Sequence, residues 1–144
     1  METTAKTSIT IQAVIAAPAD TVWKAFTTPA DIMQWNNASP DWYTPSATND
    51  LRVGGIFTSR MAARDGSMAF DFAGVYDEVE TNKRIAYTIG DGRKVSVDFI
   101  PTEGGTRIVE TFEAESTHSI DMQRGGWQAI LDNFKSYVEV VNGG

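Results

Sequence analysis

The last part of the chain, residues 119–141, constrains the fold more than any other stretch. Its apolar side chains recur every three or four residues, the spacing that places them on one helical face; they are Trp127, Ile130, Leu131, Phe134, Val138 and Val141. The opposite face carries polar residues, which are Gln128, Asp132, Lys135 and Glu139. Ser119 can cap the start, and the sequence Asn142-Gly143-Gly144 can end the helix. The pattern predicts one long amphipathic helix that needs a broad apolar surface to lie on.

The region before this helix alternates apolar and polar residues, which is typical of strands. Strands are predicted at residues 49–53, 55–63, 68–79, 84–89, 95–99 and 106–112. Tight turns are predicted at Asp65-Gly66, Asp91-Gly92 and Glu103-Gly104. Successive hairpins of this kind form an antiparallel meander. Its apolar residues lie on one face, so the long helix is expected to cover that face.

The start of the chain predicts one strand followed by two short helices. Residues 8–15 alternate as a strand, and Pro18 suits the first position of a helix. Thr28 precedes a proline and should end that helix. Thr28 with Asp31 three residues later resembles the cap of a second short helix. The predicted fold is α+β: a curved antiparallel sheet wrapped around a long C-terminal helix, with two short helices after the first strand.

The least regular stretch is residues 36–49, which contains Pro40, Pro45 and the aromatic residue Trp42. A loop this long in a compact domain is often functional. It is therefore a candidate lid over a binding site. The alternative interpretation is that Trp42 folds back on the core.

Composition excludes several classes of function. The chain of 144 residues, with 42% hydrophobic and 22% charged residues, is expected to form one domain over residues 1–144. Its net charge of −7 argues against a nucleic-acid partner, and its lack of cysteine excludes disulfides and thiolate chemistry. No run approaches the roughly twenty apolar residues of a membrane span. A cytoplasmic protein is expected.

Several short motifs together resemble those of a known superfamily. They are Ala17-Pro18 with Val22-Trp23, Trp35, and the stretches at residues 50–57, 74–79 and 126–134. The chain resembles the START-like (SRPBCC) superfamily, and within it the Hsp90 ATPase activator homologue family. The resemblance implies a helix-grip fold with a cavity between the sheet and the long helix, which the superfamily often uses for lipids and other apolar ligands. It implies no catalytic signature.

The aromatic and apolar side chains predicted to face this cavity are its candidate ligand-binding residues. They are Trp35, Phe57, Met61, Phe70, Phe72, Tyr76, Tyr87, Phe99, Phe112 and Trp127, with Trp42 from the lid. Core packing alone explains many of them. Gly74 and Gly126 are expected to leave space that side chains do not fill.

Glu110 and Gln123 are the candidate polar groups of the cavity. Glu110 shares strand parity with Ile108 and Phe112, so its carboxyl should lie among apolar side chains, where it is costly unless paired or protonated. One interpretation is a polar handle that fixes one end of an apolar ligand. The other is a structural pair with an arginine or an amide, Gln123 being one candidate.

No residue pattern indicates catalysis, a metal or a cofactor. His118 is the only histidine, and no motif places a nucleophile or a second ligand beside it. The Gly54-Gly55 and Gly104-Gly105 pairs lack the Lys-Ser/Thr continuation of a phosphate loop and are interpreted as turns. Neither a metal nor a cofactor is expected.

Three functions remain open. The first is a binding module that holds an apolar or aromatic small molecule without chemistry. The second, implied by the resemblance, is an interaction with an Hsp90-type chaperone; the family's eukaryotic activators use an additional N-terminal domain for much of that contact. The third is an enzyme of the cyclase or hydrolase kind, which would need converging acid and base groups.

Overall fold

Seven antiparallel strands and three helices build the described part of the chain. The computed structural model describes residues 7–37, 39–90 and 92–143. The elements are β1 (Ser8–Ile15), α1 (Ala19–Thr27), α2 (Pro29–Trp35), β2 (Trp42–Asn49), β3 (Ile56–Ala63), β4 (Ala69–Glu80), β5 (Arg84–Ile89), β6 (Lys94–Thr102), β7 (Gly105–Glu113) and α3 (Ile120–Gly143). The strand order is β1-β7-β6-β5-β4-β3-β2. The predicted α+β fold, a curved sheet with a long C-terminal helix, is confirmed.

The stretch predicted as a loop contains an edge strand, and the strand predicted at residues 49–53 is wrong. Trp42–Asn49 pairs with β3, and the pairing shifts between Tyr43 and Ser46, next to Pro45. Proline lacks an N–H donor and is tolerated in sheets at edges and bulges. Residues 50–55 instead form turns before β3. The irregular pairing explains why the sequence shows no alternation here.

The helix starts differ in part from the predicted ones. Pro18 precedes α1 as its N-cap and is not its first helical residue, and the Thr28 side chain makes no capping hydrogen bond to α2. Asp31 instead accepts a hydrogen bond from the hydroxyl of Tyr137 on α3. The Ser119 cap does form, because its Oγ accepts the Met122 N–H at 3.1 Å.

The predicted turns at Gly66 and Gly104 join β3 to β4 and β6 to β7. Both glycines have positive φ, 79° and 86°, which favours glycine over residues with a Cβ. Of the remaining predicted turn, Asp91-Gly92, the residue Asp91 lies outside the described residues. Gly144, the last residue of the predicted helix end, also lies outside them.

The apolar stripe of α3 packs against one side of the fold. The α3 backbone comes closest to β1 and to the two short helices. Phe134 is fully buried there, with its ring 5.2 Å from Phe26 and 4.8 Å from Trp35. Further across the sheet the contacts are made by side chains: the Trp127 ring of α3 lies 4.0 Å from Phe112 of β7 and 6.3 Å from Phe72 of β4.

The polar face of α3 binds the exposed edge of β1. Lys135 Nζ donates to the Val14 carbonyl at 2.9 Å, and the Ala16 N–H donates to Glu139 Oε2 at 3.0 Å. Gln128 Nε2 reaches the Gln12 carbonyl at 3.3 Å. Side chains of the helix thus satisfy backbone groups that β1 leaves unpaired on the side away from β7.

Replacing Phe134 with alanine should destabilise the protein by about 3–5 kcal/mol, because large aromatic truncations in a core leave a cavity. Urea unfolding measures this free energy. Val140 on the same helix is 72% exposed, so Val140→Ala is the control and should cost less than about 0.5 kcal/mol. A loss below about 1 kcal/mol for Phe134→Ala would show that α3 is not the central packing element.

Candidate ligand-binding site

A cavity of about 260 Å³ lies between the concave face of the sheet and α3, partly open to solvent. Its wall is mostly apolar. Of the residues predicted from the sequence, it is lined by Trp35, Phe57, Met61, Phe70, Phe72, Tyr76, Tyr87, Glu110 and Trp127. On the sheet side, the lining residues come from β2 to β5 and from β7.

Four predicted site residues do not line this cavity. Trp42 lies on β2 with its ring 6.0 Å from Phe70, so it is not a lid on a loop. Phe99 packs edge-on against Trp23 at 5.2 Å, inside the core. Phe112 is covered by the Trp127 ring, which stacks on it at 4.0 Å. Strand parity predicted the inward direction of both phenylalanines but not what covers them.

Gln123, the fourth, closes the turn that leads into α3. Its side-chain oxygen accepts the Glu115 N–H at 2.8 Å, and its Nε2 donates to the carbonyls of Glu115 and His118 at 3.1 and 2.8 Å. These bonds occupy the amide. The predicted alternative in which Gln123 pairs with Glu110 is therefore wrong.

The cavity also contains residues that sequence reasoning missed. They are Phe26, Ile32, Asn36, Thr48, Asn49, Ser59, Ile85, Arg93, Ile130, Leu131 and Phe134. The β3 alternation could have identified Ser59, because it shares the parity of Phe57 and Met61. No local signal marks Asn49, which reaches the site only because β2 forms the sheet edge.

The two glycines expected to leave space behave differently. A Cβ on Gly74 would lie 2.7 Å from the Phe57 ring, so Phe57 already fills that position. A Cβ on Gly126 would meet nothing within 4 Å. Gly126, however, borders a second pocket together with His118 and Gln123. It does not line the cavity between the sheet and α3, which is called the main cavity below. A larger residue at Gly126 is therefore unsuited to filling the main cavity.

Tyr76 and Asn49 form a hydrogen-bonded polar group in the wall of the cavity. The Tyr76 hydroxyl donates to Asn49 Oδ1 at 2.5 Å, and Asn49 Nδ2 donates to the Thr27 carbonyl at 2.6 Å. Burial raises the pKa of Tyr76 to about 12. These polar atoms are thus satisfied within the protein.

Glu110 places a carboxyl group in the cavity wall. It is 7% exposed and sits on β7 opposite Ile11 of β1 and Val97 of β6. Among the described residues its carboxyl has no hydrogen-bond partner. Burial raises the pKa of Glu110 to about 8, so the carboxyl is mostly protonated at neutral pH.

Tyr87 lies near this carboxyl. Burial, and next the charge of an ionised Glu110, raise the pKa of Tyr87 well above its usual value. Tyr87 and Phe112 are each paired with Val95 on β6, so they share one cross-strand row beside the row of Glu110 and Val97.

His118 lies away from the main cavity. Its side chain is exposed, and Nδ1 is 3.0 Å from Glu115 Oε2. The hydrogen bond from the His118 backbone N–H is the main reason that the pKa of Glu115 is lowered. The described residues contain no cluster of His, Cys, Asp and Glu suited to a metal ion.

A curved antiparallel sheet that holds a C-terminal helix over an aromatic cavity defines the helix-grip class of START-like proteins. The sequence profile of the family described as "Activator of Hsp90 ATPase homolog 1-like protein" matches residues 16–139. The chain therefore belongs to this family. No curated protein matches the sequence.

Solved structures agree with this assignment. The AHSA1-like protein from Aeromonas hydrophila is 46% identical over 94% of both chains, with a TM-score of 0.90. Chr148 from Cytophaga hutchinsonii is 53% identical over 94% of both chains, with a TM-score of 0.81. NE0264 from Nitrosomonas europaea, 20% identical over 95% of this chain and 97% of its own, has a TM-score of 0.82 and shares the fold. In the described part of the chain, no helix is long and apolar enough to cross a membrane.

The raised pKa of Glu110 predicts a pH-dependent stability. Between pH 4.5 and about 8 the folded protein holds a proton that the unfolded chain releases, so Glu110 lowers stability increasingly as the pH rises. Glu110→Gln removes this effect. The difference in unfolding free energy between the variant and wild type should therefore grow by a few kcal/mol as the pH rises from about 5 to about 8, since each pKa unit corresponds to about 1.4 kcal/mol.

Urea unfolding of both proteins at the two pH values measures this difference. Glu103→Gln makes the same change of side chain at an exposed position in the β6–β7 turn and should show no such gain. An equal stability difference between Glu110→Gln and wild type at both pH values would contradict a buried, protonated Glu110.

Proposed function

We propose that the protein is a small-molecule binding module that holds an apolar or aromatic ligand in the main cavity without chemical conversion. The observation that carries the proposal is a space of about 260 Å³ bounded mainly by aromatic side chains. Ligand sites are typically apolar concave spaces with few polar groups. The candidate site residues from the sequence that line it are, in this proposal, ligand contacts. The cytoplasmic location and the single domain stay predictions.

The size of the cavity limits the ligand. An engineered apolar cavity of about 150 Å³ in another protein binds benzene. A space of about 260 Å³ therefore suits a two-ring aromatic molecule or an acyl chain of medium length. Because the cavity is partly open, part of a longer ligand can extend toward solvent.

The lining residues support binding more than catalysis. An enzyme of the cyclase or hydrolase kind needs an acid and a base that converge on a substrate. The titratable residues in the described wall are Tyr76, Tyr87, Arg93 and Glu110. The Tyr76 hydroxyl is bonded to Asn49, and both tyrosines have raised pKa values, which makes them poor bases near neutral pH. No reaction is proposed.

Apolar probes test the function directly. Naphthalene derivatives and medium-chain alcohols should raise the melting temperature by mass action. They should also change tryptophan emission, because Trp35 and Trp127 line the cavity. Ser59 is 4% exposed and faces the cavity, so Ser59→Leu should fill space and weaken probe binding at least about tenfold while the protein stays folded.

Thr58→Leu is the matched control, because Thr58 neighbours Ser59 on β3 and has the opposite parity. It should leave probe binding unchanged. The absence of a thermal shift with a broad set of apolar probes would overturn the proposal. Conversion of a bound probe into a product would favour an enzyme instead.

The family description supports testing one second function, stimulation of an Hsp90-type ATPase. Added in excess to a cognate chaperone, the protein should change ATP turnover by less than about twofold, because small contact areas give weak interactions. An unrelated protein of similar net charge is the control. A several-fold stimulation at micromolar concentration would make chaperone activation the better assignment.

A further inference from the structure

We propose that the main cavity selects amines: organic cations whose apolar, ring-containing part fills the aromatic space and whose ammonium group contacts the Glu110 carboxyl. This inference rests on the proposed binding function and names its ligand class. It replaces the broader expectation of lipids and other apolar ligands with a requirement for one positive group.

The first support is the position of the carboxyl. Glu110 is 7% exposed, lines the cavity, and has no hydrogen-bond partner among the described residues. Buried polar groups nearly always have a partner, because an unsatisfied one costs free energy. Because Glu110 lines the cavity, a ligand bound there can supply the missing partner.

The second support is the surrounding aromatic wall. Phe57, Tyr87 and Trp127 line the same cavity as Glu110. The faces of aromatic rings carry negative partial charge and attract cations, and aromatic cages around ammonium ligands use this attraction. A carboxyl group and aromatic rings in one apolar space are therefore complementary to a cation with an apolar body.

The titratable and charged groups around Glu110 also favour a positively charged ligand. Tyr87 of β5 is near enough to sense its charge, Tyr76 of β4 lines the same cavity, and the β1 and β6 residues paired with it, Ile11 and Val97, are uncharged. Arg93 is the cation of the described wall, and its guanidinium donates to the Glu113 carbonyl at 3.3 Å. Burial alone raises the pKa of Glu110, with no opposing effect of a cation.

An anionic ligand is disfavoured for the same reasons. A fatty-acid carboxylate with its head at Glu110 could bind only while Glu110 keeps its proton, so it is disfavoured from about pH 8 upward, and the negative faces of the rings repel it. A neutral alcohol can bond to the carboxyl but gains nothing from the aromatic faces as a cation does. The structure therefore ranks amine above alcohol above carboxylate.

Amine binding has a proton balance that can be measured. Below about pH 8 the free protein carries protonated Glu110 and the free ligand is an ammonium ion. Formation of the ammonium–carboxylate pair releases the Glu110 proton to solvent. Amine affinity should then rise about tenfold per pH unit from about pH 6 to about pH 8, whereas alcohol affinity should stay constant.

Isothermal titration with three matched probes tests the inference: 2-(1-naphthyl)ethylamine, 2-(1-naphthyl)ethanol and 3-(1-naphthyl)propanoate. At about pH 8 the amine should bind at least about tenfold more tightly than the alcohol, and the carboxylate should bind more weakly than both. Titration of the amine at about pH 6.5 in two buffers of different ionisation enthalpy should show release of about one proton.

Glu110→Gln keeps the size of the side chain and removes its charge. The variant should lose at least about tenfold in amine affinity and lose the pH dependence, while alcohol affinity changes by less than about threefold. Glu103→Gln makes the same change of side chain at an exposed position outside the cavity and should retain both affinities. Retained alcohol binding shows that Glu110→Gln is folded with an intact cavity.

The outcomes separate this inference from the function on which it rests. If neither the amine nor the alcohol binds, the proposed binding function itself is overturned. If the alcohol binds as tightly as the amine, or if Glu110→Gln leaves amine affinity and its pH dependence unchanged, the cavity function stands and the selection of amines is overturned.

Discussion

The structure depends on the packing of the apolar stripe of α3 against one side of the fold. Phe134 closes an aromatic cluster with Phe26 and Trp35, and this cluster joins the long helix to the two short helices. The α3 backbone is nearest to β1 and the short helices, and Trp127 extends from it to Phe112 of β7 and Phe72 of β4. The cavity lies between α3 and the sheet beside these contacts, so core and site follow from the same packing.

Aromatic residues have two roles that depend on their position in the fold. Near the short helices they fill space, as Phe99 does between Trp23 and Phe26. At the cavity they contact one another around an opening, as Phe57 does with Tyr76 and Tyr87. The cavity wall is thus stabilised by ring contacts and remains apolar. Glu110 adds a buried carboxyl to this wall, and no described residue supplies its hydrogen-bond partner.

The sequence predicted what local periodicity determines. The spacing from Trp127 to Val138 predicted the long helix, and strand alternation predicted that Glu110 faces inward. Periodicity failed where pairing is irregular, because Pro45 and a register shift hide β2. It also failed where a contact joins distant residues: Asn49 reaches Tyr76 across 27 positions, and Trp127 covers Phe112. These contacts follow from the curvature of the sheet, which no local pattern encodes.

The hydrogen bonds between α3 and β1 have a consequence for association between chains. An uncovered edge strand offers unpaired backbone groups on which a further strand can add, which leads to aggregation. Here Lys135, Gln128 and Glu139 occupy several of those groups. Any event that lifts α3 from the sheet therefore does more than open the cavity. It also uncovers a template for strand addition, because the helix that borders the cavity also covers the β1 edge.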